Sequence, residues 1–404
     1  MPATPEPSAD RRPAIAIVSN SQTPYRLHVH RRIAAEVPEV RLFSLYTHQT
    51  STSNWAFEAP PEIGPVQFGQ GETMAGQDRW SQQVREWRRG GRITRWLAGH
   101  EVRFVLMMGY NDAGRLRVMR WCRRHSVPCF LFGDSNIHGD HARGLKAVVK
   151  RLWLGRVLAW CDGVLVCGTL GQRYFARYGA RPDRVFYYPY EPDYDQIRRL
   201  PPDAVEAVAR RFGLAPERRR IVYSGRLAAE KRVDLLIAAF VALAADRPDW
   251  DLLVIGDGPL RAALAAGVPE NLAPRVTWAG FVDDQETVGA MYRACHVLVL
   301  PSDYEPWALV VNEAVAAGLA VVCSNVVGAA AELVVDGVNG RLFPPGDLVA
   351  LTAGLRDVTT PATLDAMRAA AYGVLADWRR RGDPINGLRS ALALSGIVTS
   401  GLPG

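Results

Sequence analysis

Leu300-Pro301-Ser302-Asp303-Tyr304-Glu305-Pro306-Trp307-Ala308-Leu309-Val310-Val311-Asn312-Glu313-Ala314 is the stretch whose reading decides the fold. An apolar run ends at Pro301, passes through an acidic turn, and gives way to a second apolar run that carries Glu313. Pro306 suits the first helical position, where its missing N–H has no partner to lose. The sequence therefore predicts a helix that starts at Glu305-Pro306 and stops near Gly318, whose freedom at positive φ fits a C-terminal cap. A β-branched run, 320–323, follows at once, so the segment reads as strand, helix, strand. On that reading Glu305 sits at the helix mouth and Glu313 lies about two turns further in.

A helix N-terminus offers free N–H groups to anions, phosphate above all, while neighbouring carboxylates accept hydrogen bonds from hydroxyls. Diphosphate on the amides and sugar or ribose hydroxyls on the carboxylates describe a nucleotide-sugar site. The competing reading is that Glu305 caps a helix and Glu313 is a solvated surface residue. Local chemistry leaves both open.

Working outward, both halves of the chain alternate short β-branched runs with longer amphipathic stretches, the pattern of βαβ units on parallel sheets. Strands are expected at 14–19, 40–46, 104–108, 129–133, 163–167 and 185–188, then at 221–225, 252–256, 276–280, 297–301, 320–324 and 340–343. A chain of 404 residues exceeds one ordinary core,. The fold class is α/β with two Rossmann-like domains, and ligands of such sheets bind beyond the carboxyl ends of the strands. The expected divisions are a tail over 1–13, an N-terminal domain over 14–195, a C-terminal domain over 196–375 and a final tail over 376–404. Proline and the run Arg218-Arg219-Arg220 mark 190–220 as a linker with one short helix.

Composition is that of a water-soluble protein, 48% hydrophobic and 22% charged,. No run reaches the roughly 18 apolar residues of a membrane span, and 14–18 is too short for a signal-peptide core. The expected location is cytoplasmic. Six cysteines without paired spacing read as free thiols,. Charge is uneven: residues 1–200 carry 29 Lys+Arg against 18 Asp+Glu, and residues 201–404 carry 19 against 23. Basic segments interleaved with tryptophan run from Arg79 to Trp96 and from Lys146 to Trp160. They suit either an anionic membrane surface or a solvated Arg-rich face. No nucleic-acid fold signature accompanies them.

The segment Glu305 to Ala314 resembles the E-x7-E motif of retaining family 4 glycosyltransferases, enzymes of GT-B fold. Supporting pieces fall in the family's order: Tyr223-Ser224-Gly225-Arg226-Leu227 with Lys231, Val254-Ile255-Gly256-Asp257-Gly258-Pro259-Leu260, Ala279-Gly280-Phe281-Val282, and Asp336-Gly337-Val338-Asn339-Gly340. The resemblance covers about residues 220–345. It implies two domains facing across a cleft, with a last helix crossing back to the first domain. It implies sugar transfer from a nucleotide diphosphate, a UDP- or GDP-sugar used as co-substrate with no other cofactor and no metal, onto a saccharide or lipid-linked acceptor in polysaccharide or glycolipid synthesis. Lipid-linked acceptors would bring the protein to the inner face of the plasma membrane as a peripheral protein.

By the same resemblance Arg226 and Lys231 hold the donor phosphates, Glu305 the donor-sugar hydroxyls and Glu313 the ribose. Gly225, Gly256, Asp257, Gly258, Phe281 and Val282 border the nucleotide, and Pro306, Trp307, Ala308, Leu309 and Val310 line the donor. Relatives show a His-Asp type sequence near the end of the fourth expected strand. This chain has Gly133-Asp134-Ser135 there, which makes Asp134 the candidate contact to the donor sugar, with His138 just behind it. The first βα turn lacks the glycines of a dinucleotide fingerprint, which excludes a nicotinamide dehydrogenase of that type,. Gln22, Thr23 and Arg26 in that turn are acceptor candidates, with His138. His138-Gly139-Asp140-His141 and Asp193-Tyr194-Asp195 are weak metal patterns, since Gly139 breaks one and a proline-rich setting surrounds the other,. A GT-B nucleotide-sugar epimerase and a non-catalytic scaffold of the same fold remain alternatives.

Overall fold

The computed structural model describes residues 10–49, 57–69 and 79–399. Most of the tail expected over 1–13 lies outside them. The chain divides into two compact units. Unit 1 runs through Cys167, resumes over Gly171–Tyr190 and takes the end of the chain from Gly382, while unit 2 holds Gly168–Leu170 and Glu191–Arg381.

Unit 1 contains β1 (Ala14–Ser19), α1 (Pro24–Glu36), β2 (Arg41–Tyr46), β3 (Pro65–Gln67), α2 (Gln83–Gly99), β4 (Val102–Met108), α3 (Ala113–Arg124), β5 (Cys129–Gly133), α4 (Gly144–Leu158), β6 (Gly163–Val166), most of α5 (Thr169–Arg177) and β7 (Val185–Tyr187). Its strands form one sheet in the order β3-β2-β1-β4-β5-β6-β7, every neighbouring pair parallel. Strands buried on both faces become unbroken apolar runs. Cys129-Phe130-Leu131-Phe132-Gly133 shows this, with all five residues buried. Sheet order reverses between β1 and β4, so their carboxyl ends make the unit's switch point.

Unit 2 contains α6 (Tyr194–Arg199), α7 (Pro202–Arg211), β8 (Arg219–Ser224), α8 (Val233–Leu243), β9 (Trp250–Ile255), α9 (Arg261–Ala266), β10 (Val276–Gly280), α10 (Gln285–Arg293), β11 (Val297–Leu300), α11 (Leu309–Ala316), β12 (Ala320–Ser324), α12 (Ala330–Leu333), β13 (Gly340–Phe343), α13 (Leu348–Val358) and α14 (Pro361–Gly382). The sheet order is β10-β9-β8-β11-β12-β13, again parallel throughout. Here the reversal lies between β8 and β11. Aspartates at helix starts fix several boundaries: Asp284 accepts from the Thr287 N–H at 2.7 Å and Asp347 from the Ala350 N–H at 2.9 Å,. The last helix, α15 (Pro384–Leu394), packs on β7 within unit 1, where Gly387 is so close that a side chain would meet the Tyr187 carbonyl.

Three expectations are corrected. Residues 190–220 are not a spacer, because α6 and α7 pack on α10, where a Cβ on Gly289 would lie 3.1 Å from Leu200. Arg219 and Arg220 belong to β8, and Arg218 is ion-paired with Asp251 at 2.6 Å. The three-residue strand β3 has no apolar run to announce it. It is an edge strand opened by Pro65, and a proline is tolerated there,. The third correction is the start of α11.

All six cysteines are free, five of them buried and Cys161 half-buried. No helix among the described residues is long and apolar enough to cross a membrane.

Candidate functional site

The switch point of unit 2 brings the loop after β8 beside the loop after β11. Lys231, from the first loop, places its Nζ 2.6 Å from Glu305 Oε1 of the second. Ser302 donates to the same carboxylate oxygen at 2.9 Å, and Ser324 fixes Ser302 by donating to its carbonyl at 2.6 Å. Arg226 leaves the same loop as Lys231 but is exposed, reaching Glu230 at 2.8 Å. The Tyr223 hydroxyl donates to the Arg226 carbonyl at 3.0 Å and so braces this turn from beneath.

Glycines let these loops approach. Gly225 and Gly256 both sit at positive φ, and a Cβ on Gly256 would fall 2.0 Å from the Gly225 carbonyl oxygen. One on Gly258 would fall 2.4 Å from that of Leu227. Only residues without a side chain permit that packing. Asp257 is exposed, holding Arg261 at 3.1 Å and its neighbour's N–H, that of Gly258, at 2.7 Å. Phe281 follows β10 with its ring largely exposed, and Val282 is half-buried.

The helix expected from Glu305-Pro306 begins instead at Leu309. The backbone of 305–307 pairs with the segment after β12: the Gly328 N–H donates to the Glu305 carbonyl at 3.1 Å and the Ala329 N–H to that of Trp307 at 2.7 Å. Those bonds compete with helix formation and hold the chain extended. Ala308 makes the transition at φ 80°, a left-handed conformation that a residue with a Cβ adopts at a cost,. Leu309 and Val310 thus occupy the first turn, where helical geometry leaves N–H groups without intrahelical acceptors. Trp307 points its ring into the core against Trp378, centroids 5.8 Å apart, leaving backbone as its route to a ligand. Pro306 is half-buried beside it. Gly318 does cap the helix as expected, at φ 74°.

Glu313 is buried at 7% exposure, just over one turn into α11. Burial pushes its carboxyl up to about 7, against the hydrogen bond that the Tyr292 hydroxyl donates at 3.1 Å. The solvated-surface reading of Glu313 is therefore wrong.

In unit 1 the candidates scatter over the carboxyl ends of the strands. Arg26 donates to the Ser21 carbonyl at 2.8 Å and stacks over Tyr25 and Tyr190. Its charge acts on Asp134, which follows β5 and is exposed. Gln22 has committed both ends of its amide, donating to the Glu58 carbonyl at 2.8 Å and accepting from the Glu58 N–H at 2.6 Å. Thr23 is buried at the N-cap of α1 without a side-chain capping bond. His138 is exposed on a short turn, where Asn136 accepts from its N–H at 2.9 Å.

Neither metal pattern assembles. Asp140 is taken by Lys150 at 2.9 Å and Arg177 at 3.2 Å, and Asp193 caps α6 by accepting from the Gln196 N–H at 2.9 Å. Among the described residues no cluster of three or more His, Cys, Asp or Glu is placed to hold an ion.

The sequence reading passed over Ser302, Ser324 and Tyr292. Ser302 lay inside the quoted turn, and its position next to a strand end was the available signal. Tyr292, on the apolar face of α10, looks like any core aromatic.

A second polar cluster also went unforeseen, at the switch point of unit 1. Glu86 and Arg89 of α2 pair with each other, and Asp112 pairs with Arg115 at the start of α3, all four at most 3% exposed. His48 accepts from Arg89 at 3.2 Å through Nε2, and its Nδ1 lies 2.9 Å from the Thr47 hydroxyl. The cavity at their centre is about 10 Å³.

Comparison with known proteins bears mainly on unit 2. Residues 218–360 match the family model for glycosyl transferases group 1. A glycogen synthase of Mycobacterium tuberculosis is 36% identical over 152 residues, 37% of this chain and 36% of that protein. A 2-deoxystreptamine glucosyltransferase of Streptomyces kanamyceticus is 32% identical over 205 residues, 50% of this chain and 52% of its own length. The chain thus spans between about a third and a half of these curated relatives. In overall fold it resembles the Anabaena protein HepE, solved with UDP and glucose, at a TM-score of 0.70 and 18% identity over 95% of this chain and 100% of that one. Residues 218–360 are thus similar to group 1 glycosyl transferases, and the two parallel Rossmann-like sheets have the GT-B fold.

Proposed function

We propose that the protein is a retaining, metal-independent glycosyltransferase that moves a sugar from a nucleotide diphosphate to a hydroxyl of a saccharide or lipid-linked acceptor. The observation that carries this reading is the meeting of Lys231 and Glu305 at 2.6 Å on the switch point of the unit that matches group 1. One cation and one carboxylate at the same strand ends suit a ligand whose diphosphate adjoins a sugar. UDP-glucose is the first donor to test, because HepE was solved with UDP and glucose.

In this mechanism the Leu309 and Val310 amides, Lys231 and Arg226 take the diphosphate, and the two cations stabilise the charge that grows as it leaves. Glu305, held by Ser302, accepts hydrogen bonds from donor-sugar hydroxyls. Glu313 accepts from the ribose, and Phe281 offers its ring to the base. Gly225, Gly256, Gly258 and the backbone of Asp257 and Val282 keep the nucleotide pocket open. Asp134 is a further carboxylate for donor-sugar hydroxyls. Arg26 and His138 serve the acceptor, while Gln22 and Thr23 hold the turn that carries Arg26.

As the bond from the anomeric carbon to the diphosphate oxygen breaks, the acceptor oxygen bonds that carbon from the same face. The acceptor proton passes to the leaving diphosphate. No side-chain base is required.

A thermal-shift screen of nucleotide sugars, followed by turnover with the best stabiliser and NMR of the product, tests the proposal. Transfer with retained anomeric configuration is expected. Conversion of the donor without an acceptor would favour the epimerase, and binding without turnover the scaffold.

A further inference from the structure

We propose that the outer face of α4 is a docking surface for an anionic lipid membrane. This helix is amphipathic the wrong way round for a solvated surface helix. Leu154 and Val157 anchor its inner side in the core, at 0% and 1% exposure. Lys150 also turns inward, to Asp140 at 2.9 Å and over the rings of Tyr174 and Tyr178. The opposite side carries Leu145, Val148, Val149 and Leu152 at 78, 53, 58 and 70% exposure. Their spacing, i, i+3, i+4 and i+7, places them on one continuous stripe. Exposed apolar residues scattered singly are ordinary, but a contiguous stripe marks an interaction site.

Charge selects the partner. Arg143, Lys146, Arg151 and Arg156 are exposed around the stripe, and Gly144–Leu158 contains no acidic residue. Lys146 and Arg151 fall on its two flanks, at roughly 100° per residue from Leu145. An apolar stripe with cationic flanks matches acyl chains beneath anionic headgroups. A second copy of this chain would set cation against cation, with no carboxylate on the helix to pair.

The segment from Arg79 to Trp96 has a similar composition but not the same face. Glu86, Arg89, Ile93 and Leu97 of α2 are buried, and of the segment's exposed apolar residues Trp80, Val84 and Trp87, the last stacks with the Arg117 guanidinium, 4.7 Å from its ring centroid.

Flotation of the full chain with phosphatidylcholine vesicles, with and without phosphatidylglycerol, tests the assignment. Strong binding only to the anionic vesicles is expected, weakening as salt shortens the screening length from about 10 Å at 0.1 M to about 3 Å at 1 M. Val148→Asp/Leu152→Asp should reduce it at least about tenfold, and Lys146→Glu/Arg151→Glu by about fivefold or more per cation lost. All substituted positions are exposed, so both variants should melt with the parent. Equal binding to both vesicles, binding to neither, or wild-type binding by Val148→Asp/Leu152→Asp would overturn the proposal. So would a dimer in sedimentation that this variant dissociates, since the stripe would then belong to a second copy.

Discussion

The two units reach the same topological point and do different things with it. In each, sheet order reverses beside the first strand, and charged residues gather where the strand ends part. In unit 2 the Lys231 and Glu305 side chains keep 20% and 10% of their surface open, and exposed Arg226 stands beside them. In unit 1 the pairs Glu86–Arg89 and Asp112–Arg115 are sealed around a cavity of about 10 Å³, room for no more than one water,. Topology puts charge at a switch point. Access decides whether it meets a ligand or props the fold.

The largest effect that would sharpen this contrast is on stability. Arg89→Ala leaves the buried Glu86 carboxylate with His48 Nε2, 3.6 Å away, in place of its guanidinium partner, which costs up to about 3–5 kcal/mol. Denaturant unfolding should show that loss, and Glu86→Leu/Arg89→Met should recover much of it. A loss under about 1 kcal/mol would mean that the cluster is wetter than its burial indicates.

In unit 2 the balance reverses. Lys231→Ala and Arg226→Ala should each lower turnover by about 10²–10³, as removal of a transition-state hydrogen-bond donor does, with a smaller change in melting temperature than Arg89→Ala. Near-normal turnover in both would remove the phosphate assignment.

Glu313 gives a third, pH-dependent effect. Its carboxyl titrates at about 7 in the folded chain against an ordinary 4.5. Between those values the unfolded chain has released a proton that the folded chain still holds. Its stabilising contribution is therefore complete below about 4.5 and is lost as pH rises to about 7, to the extent of roughly 3 kcal/mol. Glu313→Gln should flatten the stability profile over that window. A profile unchanged by the substitution would contradict the burial argument.

Asp134→Asn should produce a more modest change, lowering kcat more than it raises KM. If Asp134→Asn turns over normally while His138→Ala is inactive, the histidine has the role. The smallest expected effect is from excess EDTA, which should leave turnover unchanged. Loss on chelation with rescue by magnesium or manganese would reopen the His138 and Asp193 patterns.

The parts of the fold that could be read in advance were those written locally. Strands β1, β5 and β12 have the expected bounds, because central parallel strands are contiguous apolar runs between turn residues, and the edge strands β10 and β13 match as well, each closed by a glycine or proline turn,. The start of α11 was not legible, since it depends on hydrogen bonds to Gly328 and Ala329, about twenty residues on, and on strain at Ala308. Arg226, Lys231, Glu305 and Glu313 could be named from their motif. The Tyr292 contact could not, because an aromatic on an apolar helix face carries no mark of its partner. Glu86 and Arg89 were obscured for the opposite reason: charges three apart on a helix read as solvated until a second helix covers them.

The most direct test of the central claim is calorimetric titration of UDP-glucose into the wild type, Lys231→Ala and Arg89→Ala at a temperature where all three are folded. The account predicts binding by the wild type and by Arg89→Ala with similar affinity, and a loss of at least about tenfold in Lys231→Ala, in keeping with removal of a charge-assisted contact. Equal affinity in wild type and Lys231→Ala, or a loss confined to Arg89→Ala, would contradict it.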